Sequence, residues 1–298
     1  MAEKLKVHGA LLAVNVIYGL NFNIALIAMP QYIQPFAFVL LRVLVSTLLF
    51  WLVVAVLPKE RIDRQDIVRF VLCGLAGVAT NQLLFFKGLS LTSPINSALI
   101  MITTPIIVLI LAFISGNDRV TWLKIVGVVL GAVGASLIIL VRTPADAAHS
   151  SVLGDFYILL NAVAYAIYLV IVKPLMKKYH PMRVIAWVFL FGGLFVFPFG
   201  VLDLTAVQWG HLPSEVWLSI LFVIIFTTFL AYGLNIFALS RVSPSVVGIY
   251  IYLQPILAAL IAILVYQESI GMAKILAAML VFLGVFLVSY QPKEEKLA

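Results

Sequence analysis

The chain has 298 residues, 64% of them hydrophobic and only 10% charged, with a formal net charge of +7. Soluble domains carry about 25% charged residues, so this chain cannot cover a water-soluble body of its size, and lipid must be the solvent for most of it. No Lys/Arg cluster stands beside aromatics on a soluble segment, which argues against nucleic acid. The single Cys73 excludes an intramolecular disulfide, and His8, His149, His180 and His211 fall at or beyond predicted helix ends without metal-ligand spacing. Neither a metal nor a cofactor is expected.

A membrane-crossing helix needs about 20 apolar residues, and the runs between breakers predict ten. Span 1 (7–29) comes after a basic start but is longer than a signal-peptide core, and it has a counterpart later in the chain; Asn15, Tyr18 and Phe22 share one of its faces. Span 2 (35–57) contains Arg42, about two turns from its outer end. Its guanidinium either snorkels about 10 Å to the outer headgroups or anchors a substrate carboxylate within the bundle. Span 3 (67–87) carries Gln82 and ends at Lys87; span 4 (94–115) carries Asn96, Ile100 and Thr103 on one stripe and Pro105 near its middle. Span 5 (121–141) has a small-residue face, Gly127-x-x-x-Gly131 with Gly134, suited to close helix packing within the molecule or in a dimer.

After a short connection come span 6 (153–173) with Asn161, Tyr165 and Tyr168 at i, i+4 and i+7, and span 7 (183–203). Span 8 (215–238) carries Thr228, Tyr232 and Asn235 in the same spacing. Span 9 (245–266) carries Tyr250 and Gln254 at i, i+4, with Pro255 at its middle, and span 10 is 270–290. Residues three or four apart share a helix face, so these polar and aromatic groups form stripes. They serve either as interhelical glue or as the wall of a shared cavity. Pro105 and Pro255 each free the carbonyl four residues earlier, giving static bends or a matched pair of hinges.

Of the 19 Lys and Arg, Lys87, Arg142 and Lys274 fall on the outer side and Arg42 within span 2, leaving fifteen on the inner side when the N-terminus is cytoplasmic. That is a positive-inside bias, with both termini in the cytoplasm of a cell whose inner membrane holds the protein. Asp155, Asp203, Glu215 and Glu268 fall at outer helix ends and Asp118 at an inner one.

The two halves also match. At an offset of 150, Leu89, Ser90, Ser93, Pro94, Pro105 and Ile106 meet Leu239, Ser240, Ser243, Pro244, Pro255 and Ile256. The same offset pairs Asp118 with Glu268, Lys124 with Lys274, Gly134 with Gly284 and Gln82 with Tyr232. At an offset of 146, Asn15 meets Asn161 and Pro35 meets Pro181. A duplicated unit of five crossings enters the membrane from opposite sides in its two copies, here 7–141 and 153–290. Inverted repeats of this sort build secondary transporters whose sites lie near the midplane between the copies.

Tyr18-Gly19-Leu20-Asn21-Phe22, Arg42, the Leu-x-x-x-Ser-Pro approaches to spans 4 and 9, Pro105, Pro255 and the Glu268-Ser-Ile-Gly turn together resemble EamA-type carriers of the drug/metabolite transporter superfamily. The resemblance covers residues 7–290 as two repeats. It implies ten helices, a central cavity from helices 1, 3, 4, 6, 8 and 9, and export of amino acids or similar metabolites. Asp118 stands where such carriers usually have Glu, and Tyr18 where Trp is common.

The expected function is therefore alternating-access transport of a small amphipathic metabolite by a monomer or homodimer, with Asn15, Tyr18, Arg42, Gln82, Asn96, Thr103, Asn161, Tyr165, Tyr168, Tyr232, Asn235, Tyr250 and Gln254 as candidate substrate contacts. Nucleotide-sugar, phosphorylated-sugar or drug efflux are alternatives, although phosphate would want two or more interior cations. An intramembrane enzyme would need a nucleophile–base set or paired acids; no DDxxD, GxSxG or intramembrane His is present, and no acidic residue is placed deep in a span. A channel is disfavoured because no ring of like charges or repeated pore loop is present.

Overall fold

The structure, a computed structural model, describes residues 2–114, 122–140, 151–242, 247, 250–252, 254, 256–257, 264 and 271–289. All regular structure among them is helical. Helix α1 is Ala2–Ala28 and α2 is Pro35–Ala55. The third span, Arg64–Leu89, is α3, and the fourth, α4, comes in two pieces, Pro94–Met101 and Thr104–Ile114. Next come α5 (Trp122–Leu140), α6 (Val152–Lys178), α7 (Pro181–Thr205), α8 (Ser214–Arg241) and α9 (Met272–Ser289). Helix α9 is the tenth predicted span; most of the ninth, with Pro255, Pro244 and Glu268, lies outside the described residues, as does Asp118.

Among the described residues α1, α2, α3, α6, α7 and α8 are each long and apolar enough to cross a membrane, and 94–108, 125–134 and 275–284 are shorter apolar helices. The starts obey simple rules. Pro35, Pro94 and Pro181 occupy first-turn positions, where the missing N–H costs nothing. Ser93 Oγ accepts from Asn96 N–H (3.2 Å) and Ser151 Oγ from Gly154 N–H (2.9 Å), satisfying amides that have no partner within the helix. Helix α4 breaks at Ile102–Thr103, just ahead of Pro105, and the Thr103 hydroxyl donates to Ile100 O at 2.8 Å.

Two helices contain wider, π-helical turns: Leu75–Thr80 in α3 and Phe222–Leu230 in α8. At the offset of 150 the first falls on 225–230, the closing part of the second. Such turns add a residue to the helical ladder and so rotate the next stretch of helix about its axis. In both helices the residues just beyond them, Gln82 and Tyr232, are buried in the bundle.

Packing pairs the helices in a regular way: α2 with α7, α5 with α9, α3 with α6 and α1 with α8. Small residues allow the closest approaches. A Cβ at Gly134 would stand 2.6 Å from Val281 Cγ2, and one at Gly284 would stand 2.5 Å from Gly127 O and 2.6 Å from Gly131 N. The glycine face of α5 is therefore spent on α9 within this molecule. Gly200 of α7 likewise meets Phe36 O and Leu40 of α2. Leu12, Leu48, Leu52, Leu194, Leu202 and Leu218 face outward, as lipid-facing leucines do.

At one end of the bundle the 58–66 connection is tied to the α6–α7 turn. Lys178 pairs with Asp63 and Asp66 (both 2.5 Å), Tyr179 OH donates to Asp66 (2.7 Å), and Arg183 pairs with Glu60 at 3.1 Å and donates to Pro58 O. Pairs with a solvent-exposed member, as at Lys178, are individually weak, but together these contacts tie the turn down.

Gly284→Ala should destabilise the protein by about 1–3 kcal/mol, because the added methyl meets backbone that cannot yield. Thermal unfolding in detergent should show a lowered midpoint for Gly284→Ala and none for Gly210→Ala, where nothing lies within 4 Å. Equal midpoints would contradict this packing.

Candidate functional site

A cavity lies in the middle of the bundle. Its wall is Tyr18, Asn21 and Phe22 of α1, Arg42 of α2, Asn81, Gln82, Phe85 and Phe86 of α3, Met101 of α4, Asn161 and Tyr165 of α6, Thr227 and Tyr232 of α8, and Gln254. Small-molecule sites are mostly apolar with a few placed polar groups, and this wall has that character. The helices are those expected from the sequence, with α2 added through Arg42.

Arg42 is 3% exposed. It does not snorkel. The Nε–H donates to Thr228 Oγ1 at 2.8 Å, and the guanidinium carbon stands 4.5 Å from the Phe86 ring centroid. The hydroxyl of Thr228 in turn donates to Val223 O at 2.7 Å, five residues back within the π turn. No acidic residue lines the cavity among the described residues, so its wall carries one positive charge and no negative one.

Across the cavity Gln82 Nε2 donates to Tyr232 OH (3.2 Å), and Tyr232 OH donates to Asn81 Oδ1 (3.4 Å). Asn161 Nδ2 donates to Asn81 O at 2.7 Å. Asn21 Oδ1, Gln82 Oε1, Asn161 Oδ1 and Thr227 Oγ1 are buried and hold no hydrogen bond among the described residues. Buried polar atoms are normally paired, so these side chains bring unmet hydrogen-bonding capacity to the wall. Aromatic rings form the rest: Phe22 and Phe85 meet edge-on at 5.4 Å, Phe85 and Phe86 at 5.1 Å, and Phe189 supports Tyr232 at 5.0 Å.

Of the residues singled out in the sequence, Tyr18, Arg42, Gln82, Asn161, Tyr165, Tyr232 and Gln254 come together on this wall. The others stand behind or away from it. Asn15 Oδ1 accepts from Gln254 Nε2 at 2.7 Å and its Nδ2 donates to Leu11 O at 2.8 Å. Asn235 Nδ2 donates to Tyr165 OH at 2.8 Å. Tyr168 packs on Gly77 in the π turn of α3, and Tyr250 OH meets His8 Nδ1 at 2.6 Å. Thr103 bonds its own helix at the α4 break, two residues ahead of Pro105; Pro255 lies outside the described residues. Asn96 turns to Asp155 (3.4 Å to each oxygen), which also accepts from Thr92.

Asp155 of that last cluster keeps the helix-end place read from the sequence, yet it is 0% exposed. It sits in the first turn of α6 with the start of α4 folded over it, a tertiary cover that span-end counting cannot see. Asn21, Asn81, Phe85, Phe86, Met101 and Thr227 are wall residues absent from the sequence-derived contacts. Asn21 lies three residues beyond Tyr18 and is within reach of a periodicity argument; Asn81 lines the wall beside Gln82, directly after the π turn of α3.

Known proteins bear on what such a cavity is for. The profile of the EamA-like transporter family matches residues 5–140 and again 152–290. The chain belongs to the EamA-like transporter family. It is 26% identical to the uncharacterized transporter YyaM of Bacillus subtilis over 98% of this chain and 99% of that protein. It is 23% identical to WALLS ARE THIN 1 of Arabidopsis thaliana, over 99% of this chain and 85% of that one. A solved structure described only as the crystal structure of a protein has the same fold, with a TM-score of 0.66 at 17% identity over 96% of each chain. This EamA protein is thus a multi-pass membrane transporter.

The Gln82–Tyr232 bond should be measurable as a coupling. In a cycle of Gln82→Leu and Tyr232→Phe, thermal stability should be non-additive by about 0.5–1.5 kcal/mol. Strict additivity would show that the two side chains do not interact.

Proposed function

We propose that this protein is an alternating-access carrier that exports small metabolites, amino acids first among them, across the cytoplasmic membrane. In this reading ten spans form two inverted five-helix halves, 7–141 and 153–290, with both termini cytoplasmic. The paired packing of α1 with α8 and α6 with α3, of α2 with α7 and of α5 with α9 supports it, because exchanging the halves maps this set of pairs onto itself. So does the recurrence of a π turn at one repeat position.

The observation that carries the substrate reading is the distribution of charge and acceptors on the cavity wall. A carboxylate finds the Arg42 guanidinium, an ammonium finds the free amide oxygens of Asn21, Gln82 and Asn161, and an apolar side chain finds Phe22, Phe85 and Met101. A phosphorylated sugar is less well served, since Arg42 is the only cation on the described wall and Lys87 is not part of it. Pro105, at the break in α4, is where half-helices would tilt as the cavity changes its facing; Pro255 holds the matching place in the sequence.

Counterflow of a panel of labelled amino acids in proteoliposomes tests this. At least one aliphatic or aromatic amino acid should exchange and be recovered chemically unchanged. The combined substitution Tyr165→Ala, Tyr232→Ala and Gln254→Ala should cut exchange at least ten-fold, about 1.4 kcal/mol in apparent binding. Exchange unaffected by that triple substitution would overturn the site, and recovery of a modified solute would point to an enzyme.

A further inference from the structure

Thr228 does not line the cavity; it is 0% exposed behind the wall. Yet it accepts the one hydrogen bond that the described residues give the Arg42 guanidinium, at 2.8 Å to Nε. A hydroxyl has a single proton, and Thr228 spends it on Val223 O at 2.7 Å. It therefore faces Arg42 only with lone pairs, the polarity a cation needs. The Val223 carbonyl lies five residues back, so the relay is built on the π turn of α8. On the other side, Phe86 lies 4.5 Å from the guanidinium carbon and limits tilting of the guanidinium plane.

We propose that Thr228 is a positioning residue: by occupying Nε it turns the two terminal nitrogens of Arg42 toward the cavity, so that the site takes carboxylates end-on and discriminates them from their neutral amides. Planar two-point recognition of a carboxylate requires an oriented fork, and an arginine free to rotate would present the Nε edge as often as the terminal one. The first half has no such device at the matching place. There α7 packs on the π turn of α3 through glycine, with a Cβ at Gly74 landing 2.7 Å from Gly192 N and 2.9 Å from Val188 O. The asymmetry fixes the polarity of the cargo, with its carboxylate toward the α2–α8 side. This rests on the carrier reading above and adds to it the atom-level basis of selectivity.

The test uses full-length protein with Thr228→Ser, Thr228→Val, Thr228→Ala and Arg42→Gln, and L-leucine with L-leucinamide as probes in proteoliposomes. Thr228→Val and Thr228→Ala should raise the KM for leucine at least ten-fold with Vmax within two-fold, and lessen the preference for leucine over leucinamide. Thr228→Ser should keep both properties near wild type. Wild-type KM and preference in Thr228→Val, or a Thr228→Ser protein that behaves like Thr228→Val, would overturn the proposal. A purely structural role would lower yield and Vmax without moving the acid-to-amide ratio. Arg42→Gln tests the carrier reading separately. Should wild type fail to carry leucine, 4-methylpentanoate is titrated against the Arg42 ¹⁵Nε–H NMR signal, assigned by its loss in Arg42→Gln protein. Binding weakened at least ten-fold in Thr228→Val and preserved in Thr228→Ser supports the positioning role, and equal binding in all three proteins ends it.

Discussion

A positive charge buried in the middle of a membrane bundle is the constraint around which this protein is arranged. A charged side chain in a span is costly and persists only where partners or water receive it. Arg42 is met by a threonine oxygen on one edge and an aromatic face below, neither of which cancels its charge. Among the described residues such a guanidinium is held but not neutralised, and the π turn of α8 lies at the point where the threonine reaches it. In the carrier proposed above, that charge is what meets the cargo.

The rest of the bundle frees the central helices to serve that charge. Glycine contacts lock α5 to α9 and α2 to α7, so the outer pairs are close-packed and leucine-covered toward lipid. Their close packing leaves α1, α3, α6 and α8 to turn polar and aromatic stripes toward one another. Residues one layer back then hold the wall in place: Asn15 supports Gln254 and Asn235 supports Tyr165. Two candidate contacts thus act at one remove, each through one hydrogen bond to a wall residue.

Much of this is legible in the sequence. The apolar runs mark the helices, and the 3.6-residue stripes find Tyr18, Asn161, Tyr165, Tyr232 and Gln254, the first three on helices that are α-helical throughout. The features that stay hidden do so for physical reasons. An α-helical period cannot anticipate a π turn, so it passes over Asn81 and Thr227 and does not show that Tyr168, on the same stripe as Tyr165, abuts Gly77. Arg42 is ambiguous in sequence because its long side chain can equally reach headgroups. The burial of Asp155 stays hidden because its cover comes from the start of α4, far away in sequence. Asp118, Pro255 and Glu268 fall outside the described residues.

The central claim, that one cavity is exposed in turn to each face, is most directly measured by side-specific labelling. In a Cys73→Ala background, a cysteine at Tyr165 is challenged with a membrane-impermeant maleimide in right-side-out and inside-out vesicles. Labelling from both faces, with a carried amino acid slowing both, is the result this account requires. Labelling confined to one face whatever the solute would mean a fixed pocket, and the protein could not work as described.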